Sequence, residues 1–105
     1  MLKISIKIYG LTPFQLACYN GHFEIVDLLI NRSSDLNIDL NVKDKSMGRT
    51  GFQYACMFNY QKVVEKLMQK STEFDIDLNA KEDQNDETAL HIACFKGHSS
   101  IGKAM

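Results

Sequence analysis

Three cysteines are the residues whose type and spacing could most readily support chemistry in this sequence. Cys18, Cys56 and Cys94 follow one another at a constant interval. A metal site usually has paired ligands close in sequence, as in C-x-x-C, and no such pair occurs here. Equivalent positions on neighbouring helices lie about 8–10 Å apart, whereas a disulfide needs Cα atoms within about 7 Å. We therefore expect three reduced cysteines packed in the core, with neither a disulfide nor a metal ion.

Histidines and aspartates are the remaining candidates for catalysis. A catalytic histidine needs a nucleophile or a carboxylate beside it, and His22, His91 and His98 have no such neighbour in a recognisable motif. Asp39 and Asp77 are separated by the same interval as the cysteines, so we expect them to be exposed on separate units rather than paired. The sequence contains no phosphate-binding loop and no nucleophile elbow. We predict that the protein is not an enzyme and has no cofactor.

Length and composition narrow the function classes further. A chain of 105 residues forms one domain at most, and 45% hydrophobic with 24% charged residues is ordinary for a soluble domain. Twelve basic residues against thirteen acidic ones argue against nucleic-acid binding. No apolar run is long enough for a transmembrane helix, and the start alternates apolar and polar residues, unlike a signal peptide. We expect an intracellular protein, cytoplasmic or nuclear, without membrane partners.

Many other positions share the interval of the cysteines, which is 38 residues, and together they mark a tandem repeat. Thr12 recurs as Thr50 and Thr88, and the tetrapeptide at 38–41, Ile-Asp-Leu-Asn, recurs unchanged at 76–79. Chance does not produce so many matches in one register, and periods of this length are typical of stacked repeat architectures. We predict three repeat units: unit 1 at 10–47, unit 2 at 48–85 and a partial unit 3 at 86–105, preceded by an extended segment at 1–9.

Each unit has the pattern of helix, turn, helix and extended segment. In unit 1, Thr12 is a predicted N-cap with Gln15 at capping-box spacing, and a first helix is expected over 13–19. That helix should bury Phe14, Leu16, Ala17 and Cys18. A second helix should begin near Phe23 and bury a stripe formed by Ile25, Leu28 and Leu29. Apolar and polar residues alternate over 36–42, which predicts an extended strand, and the polar, glycine-containing residues 43–49 predict a turn.

These motifs resemble the ankyrin repeat. The octapeptide at 10–17, Gly-Leu-Thr-Pro-Phe-Gln-Leu-Ala, is similar to the family's G-x-T-P-L-H-x-A signature, and Gly21-His22 matches the G-H that follows. The resemblance implies an all-α solenoid of stacked helix-turn-helix units with extended hairpin or loop connections. It also implies that the three histidines make local hydrogen bonds at turns and helix starts. Stacking is required because a pair of short helices cannot bury its apolar face alone.

Several departures from the family pattern bear on the stack. Each unit is about five residues longer than the family's 33, and unit 2 has Gly51 in place of Pro and Asn59-Tyr60 in place of Gly-His. Unit 3 stops before its second helix is complete, and no helix pair is recognisable before unit 1. We therefore expect a piece of a longer array, or a product that has lost its ends.

The resemblance implies a binding surface on the concave face, where hairpin tips and the exposed sides of first helices meet. The residues carried onto that face are Tyr19, Asn20, Met57, Phe58, Phe95 and Lys96 on the helices, and Leu11, Arg49 and Glu87 before them. Tyr19, Met57 and Phe95 occupy one position in successive units and should form a ridge suited to a binding hot spot. The alternative is that these three side chains fold over the seams between units as core.

The two hairpin tips differ in charge. The first is net basic, with Lys43, Asp44, Lys45 and Arg49, and the second is net acidic, with Lys81, Glu82, Asp83, Asp86 and Glu87. The difference could orient a partner, or the charges could simply be solvated.

The favoured function is a non-catalytic module that binds a partner protein. The alternatives are a structural spacer within a longer ankyrin array and self-association through uncapped ends.

Overall fold

The computed structural model describes residues 10–99 and 101, and within them five α-helices are joined by turns without a β-strand. The helices are α1 (Pro13–Asn20), α2 (Phe23–Asn31), α3 (Gly51–Met57), α4 (Gln61–Gln69) and α5 (Ala89–Lys96). α1 and α2 form the helix pair of unit 1, α3 and α4 that of unit 2, and α5 is the first helix of unit 3. The predicted segment 1–9 lies outside the described residues, as do 100 and 102–105.

The first helix of every unit begins with a capping box, as the sequence predicts for units 1 and 2. The Thr12 hydroxyl accepts from the Gln15 backbone N–H at 3.2 Å, and the Gln15 side-chain oxygen accepts from the Thr12 N–H at 2.8 Å. Unit 2 repeats this arrangement, and in unit 3 the ring of His91 replaces the amide. Each threonine cap contributes about 1 kcal/mol to its helix, which explains how helices of seven or eight residues start in register.

Stacking of the first helices builds the core. α3 packs between α1 and α5, and the second helices α2 and α4 pack against one another and against the first helices. The core side chains shared between units include Phe14, Phe52, Val64 and Leu67, all at 2% exposure or less. A continuous core of this kind is the expected basis of stability in a solenoid.

The predicted buried stripe of α2 is wrong in its register. Val26 and Ile30 are the fully buried residues, whereas Ile25 is 48% and Leu28 is 54% exposed. Val63, the equivalent of Ile25 in unit 2, is 1% exposed, and unit 2 differs from unit 1 in having a preceding unit among the described residues. Periodicity alone does not show which flank of a helix a neighbouring unit covers.

The first helix of unit 1 also differs from the prediction at two adjacent positions. Leu16 is only half-buried, and Gln15 is buried in its place. The Gln15 side-chain amide donates to the Val42 carbonyl at 2.7 Å, and Gln53 makes the same bond to Ala80 in unit 2. Burial of each glutamine is therefore compensated by hydrogen bonds that tie the helix start to the hairpin that follows.

The predicted extended segment at 36–42 is mostly a pair of turns. Asn37 has a φ of 55°, and Asp75, its equivalent in the next unit, has the same value. Asp39 is exposed as expected, and its carboxylate accepts from the Asn41 N–H at 2.9 Å, an Asx turn that competes with strand formation. The turn expected within 43–49 is present, because the Asp44 carboxylate accepts from the N–H groups of Met47, Gly48 and Arg49.

Candidate protein-binding surface

The unit 1 part of the predicted ridge lies in an aromatic cluster. Tyr19 is half-buried, and its ring meets those of Tyr54 and Phe58 edge-on at centroid distances of 5.2 and 4.9 Å. Phe58 is 39% exposed, so the cluster presents apolar surface to solvent. Asn20 is exposed beside it and donates to the Leu16 carbonyl at 3.1 Å. The ring contacts fix Tyr19 against unit 2 rather than leaving it standing alone.

Tyr54 is a residue that sequence reasoning missed. It is buried, and its hydroxyl donates a hydrogen bond to the buried carboxylate of Asp44. Burial, and then this hydrogen bond, raise the pKa of the Tyr54 hydroxyl. The equivalent positions hold Leu16 and Ile92, so a tyrosine among apolar residues in that column was the available signal for a buried polar partner.

Arg49 holds the unit 2 part of the surface in place. Its Nε atom donates to Oε2 of Glu82 at 2.8 Å, and its Nη1 atom lies 3.8 Å from the sulfur of Met57. The Glu82 side chain is fully buried and also accepts from the Asn85 N–H at 3.3 Å. Glu82 was predicted as a tip charge and not as a member of the site. Because the Glu82 carboxylate is buried, its bond to Arg49 holds the arginine side chain in one position beside Met57.

Unit 3 completes the surface with an exposed aromatic side chain. Phe95 is 84% exposed, the largest value among the exposed large hydrophobic residues of the described chain. It borders an open groove of about 390 Å³ between units 2 and 3. The groove is lined by Arg49, Met57, Glu87, Phe95 and Lys96, together with Asn85 and Ile92. We call this the anchor groove, and five of the nine predicted site residues line it.

The structure thus divides the predicted ridge into two parts. Met57 and Phe95 share the anchor groove, whereas Tyr19 and Phe58 belong to the aromatic cluster with Tyr54. Leu11 does not fit the prediction, because it is 1% exposed and packs in the interior. It occupies the column of Arg49 and Glu87, and its apolar side chain turns inward where theirs reach the groove.

The tip charges pair with one another more than the sequence indicated. Lys43 Nζ lies 3.5 Å from Asp83, and Lys81 Nζ lies 3.6 Å from Asp86. Asp44 and Glu82 are buried acceptors rather than solvated charges. Exposed pairs such as these contribute at most about 1 kcal/mol, and the Lys43–Asp83 pair joins the two tips directly.

The cysteines follow the packing prediction in two units of three. Cys18 and Cys56 are free and buried, and burial raises the pKa of the Cys56 thiol to about 12 and raises that of Cys18 as well. Cys94 is free but exposed, which corrects the prediction; α5 packs against α3 of the preceding unit, and no following unit lies among the described residues. Within the described residues, no three His, Cys, Asp or Glu side chains are grouped as metal ligands.

One of the three histidines, His91, makes a local hydrogen bond of the kind that the resemblance implies, whereas His98 bonds to the preceding unit instead. His91 Nδ1 lies 3.1 Å from the Thr88 N–H nitrogen, and His98 Nε2 lies 3.0 Å from the Met57 carbonyl oxygen in the preceding unit. His22 differs, since it is exposed and its side chain does not cap α2.

Comparison with known proteins places these observations in a family context. A family model described as ankyrin repeats, with three copies, matches residues 2–81 and again residues 34–105. No curated protein sequence gives a significant match to the chain. None of the described helices combines the length and the apolar character required to cross a bilayer.

Proposed function

The chain belongs to the ankyrin-repeat family, whose members generally serve as protein–protein interaction modules, and we propose that it binds a partner protein through the anchor groove. The observation that carries the proposal is the 84% exposure of Phe95 at the edge of a groove built from two units. A phenylalanine so placed gains free energy when a partner covers it, and buried aromatic side chains dominate binding hot spots.

Rigidity of the groove supports the same proposal. Arg49 is held by the buried Glu82 carboxylate and contacts Met57, so neither side chain needs to be ordered on binding. Each rotamer-rich side chain that is already fixed saves about 0.5–1.5 kcal/mol of the cost of association. Glu87 and Lys96 supply opposite charges at the rim, where they can select the orientation of a partner.

The aromatic cluster extends the proposed contact toward unit 1. Tyr19, Asn20 and Phe58 lie along the same series of first helices as Met57 and Phe95, and Phe58 is partly exposed.

The three free cysteines support an intracellular location, cytoplasmic or nuclear, because reducing compartments preserve thiols. The spacer alternative predicts instead that a following unit would cover Phe95, as unit 2 covers its equivalent Tyr19, and the capture experiment below distinguishes the two.

The test compares capture of partners by three forms of the protein. Wild type, Phe95→Ala and Leu36→Ala are used as bait, and captured proteins are quantified by mass spectrometry. Leu36 is 51% exposed but lies outside the groove, so its variant controls for loss of exposed apolar surface. For a protein that binds through the groove, the captured amount should fall about tenfold or more with Phe95→Ala and should be unchanged with Leu36→Ala.

A combined variant measures the contribution of the remaining ridge residues. Tyr19→Ala, Met57→Ala and Phe95→Ala together should abolish capture while circular dichroism shows the helices retained. Equal capture by wild type and both Phe95 variants would remove the anchor groove as the binding surface and favour the spacer alternative.

A further inference from the structure

Each end of the described stack exposes side chains whose equivalents in the other units are buried. We call the outer side of α5, with Leu90 and Cys94, the C-terminal face. We call the opposite end, with Pro13 and Ile25 on α1 and α2, the N-terminal face. Equivalent residues in successive units show which neighbouring unit covers each face where that unit is present.

The C-terminal face exposes a column that is buried in the other two units. Phe14 and Phe52 are 1% and 2% exposed, whereas Leu90, at the same position in unit 3, is 45% exposed. Cys18 and Cys56 are fully buried, and Cys94 is exposed. Units 1 and 2 have a following unit and unit 3 has none among the described residues, so the following unit is what covers this column.

The N-terminal face shows the reverse. Ile25 is 48% exposed in unit 1, but its equivalents Val63 and Ile101 are each 1% exposed in units 2 and 3. Pro13 is exposed, while its equivalents Gly51 and Ala89 are buried. Units 2 and 3 have a preceding unit and unit 1 has none among the described residues, so a preceding unit is what covers this column.

The contact between these two columns is already formed inside the chain. A Cβ atom on Gly51 would lie 2.9 Å from the Cys18 sulfur and 3.0 Å from the Phe14 ring. Position 51 of unit 2 therefore meets positions 14 and 18 of unit 1. One repeat interval later, Ala89 is fully buried on α5, which packs against α3, so the equivalent seam accepts a Cβ atom.

We propose that the C-terminal face of one copy binds the N-terminal face of a second copy, continuing the internal seam between molecules. In this register, Pro13 of the second copy meets Leu90 and Cys94 of the first, and Ile25 is covered as Val63 is within the chain. Pro13 is larger than its equivalents Gly51 and Ala89, but it would face Leu90, which is smaller than the phenylalanine that Gly51 faces within the chain. The two faces differ, so the association is head-to-tail and open-ended.

Sedimentation velocity of the 105-residue protein over a concentration series tests the proposal. The mass of the wild type should rise past that of a dimer as concentration increases. Leu90→Asp blocks the C-terminal face and Ile25→Asp the N-terminal face, and each alters a side chain that is about half exposed, so the helices should remain. Each variant alone should stay monomeric, and an equimolar mixture should form a 1:1 complex and nothing larger.

A matched control and a crosslink fix the register. Gln69→Asp places the same charge at an exposed position of unit 2 outside both faces and should associate like the wild type. Pro13→Cys should form disulfide-linked trimers and longer species under mild oxidation, because the introduced thiol of one copy lies beside Cys94 of the next. Pro13→Cys combined with Cys94→Ser has one exposed thiol per molecule, so it can form disulfide-linked dimers at most.

Three outcomes would overturn the proposal. The first is a folded wild type that is monomeric at every concentration, which would assign the faces to further sequence or to another protein. The second is self-association of either blocked variant alone, which would indicate a symmetric contact. The third is a mixture of the two blocked variants that remains monomeric although the wild type associates.

Discussion

Arg49 Nε lies 2.8 Å from Oε2 of Glu82, and the Glu82 side chain has no solvent exposure. This charged hydrogen bond spans 33 residues of sequence and joins the start of unit 2 to the hairpin that precedes unit 3. It also forms the wall of the anchor groove. The pair therefore connects the stability of the stack with the shape of the proposed binding surface.

We expect removal of the arginine to be more harmful than neutralisation of the glutamate. Among the described residues, Arg49→Ala leaves the buried carboxylate with only the Asn85 N–H as partner, and it should lower the free energy of unfolding by about 3 kcal/mol. Glu82→Gln removes the buried charge but keeps one oxygen acceptor, which can serve Arg49 while the Asn85 N–H loses its bond, so it should cost about 1–2 kcal/mol. Urea denaturation of the two variants measures the difference. Equal losses would show that the carboxylate charge is not compensated by Arg49.

Stability should also decline in alkaline solution because of the buried thiols. Burial raises the pKa of Cys18, and raises that of Cys56 from 9.0 to about 12. A group whose pKa is higher in the folded state stabilises it fully below the unfolded pKa, and this stabilisation is lost as the pH rises above that value. Unfolding should therefore become easier above about pH 9, by up to about 1.4 kcal/mol per pH unit for each thiol.

A double variant separates the thiols from other alkaline groups. Cys18→Ala with Cys56→Ala should reduce the slope of stability between pH 9 and pH 10, where unfolded thiols already ionise and unfolded tyrosine and lysine have begun to do so only in part. The raised pKa of Tyr54 should add a further loss above about pH 10 in both proteins. An unchanged slope in the double variant would contradict the assignment to the thiols.

The repeat interval and the capping boxes were enough to predict the architecture, because Thr-x-x-Gln and the apolar spacing act locally within each unit. Exposure at the stack ends could not be predicted in this way. Ile25 and Val63 have the same local pattern, yet one is exposed and the other buried, because the neighbour that covers Val63 belongs to the preceding unit. The role of Glu82 was missed for a similar reason, since its partner Arg49 is contributed by a distant part of the chain.

Asn41 offers a test of how hairpins of successive units are joined. Its side-chain amide donates to the Asp75 carbonyl at 2.8 Å and accepts from the Asp77 N–H at 2.7 Å. Asn41→Ala removes both bonds and should cost about 1–2 kcal/mol, with faster hydrogen exchange at the Asp77 amide. Asn79→Ala is the matched control, because Asn79 occupies the same position one unit later and its side chain makes no such bridge within the described residues. Equal effects of the two substitutions would show that the bridge does not stabilise the stack.

Gly21 and Gly97 provide a matched pair that isolates the contact between unit 1 and Tyr60. Both glycines end a first helix in the left-handed conformation, with φ of 72° and 75°, so alanine should strain each backbone by about 1 kcal/mol. A Cβ atom at Gly21 would also lie 2.8 Å from the Tyr60 ring, whereas nothing lies within 4 Å at Gly97. Gly21→Ala should therefore be the more destabilising substitution, and it should shift the Tyr60 ring, which packs against Phe58 at a centroid distance of 5.9 Å.

Thermal unfolding monitored by circular dichroism measures the two alanine variants against the wild type. Combining Gly21→Ala with Tyr60→Ala removes the ring that causes the clash, so the second substitution should cost less in the Gly21→Ala background than in the wild type. This positive coupling distinguishes a steric contact from backbone strain, which Tyr60→Ala would leave unchanged. If the two glycine positions respond alike and show no coupling to Tyr60, the ring does not press on the turn at Gly21.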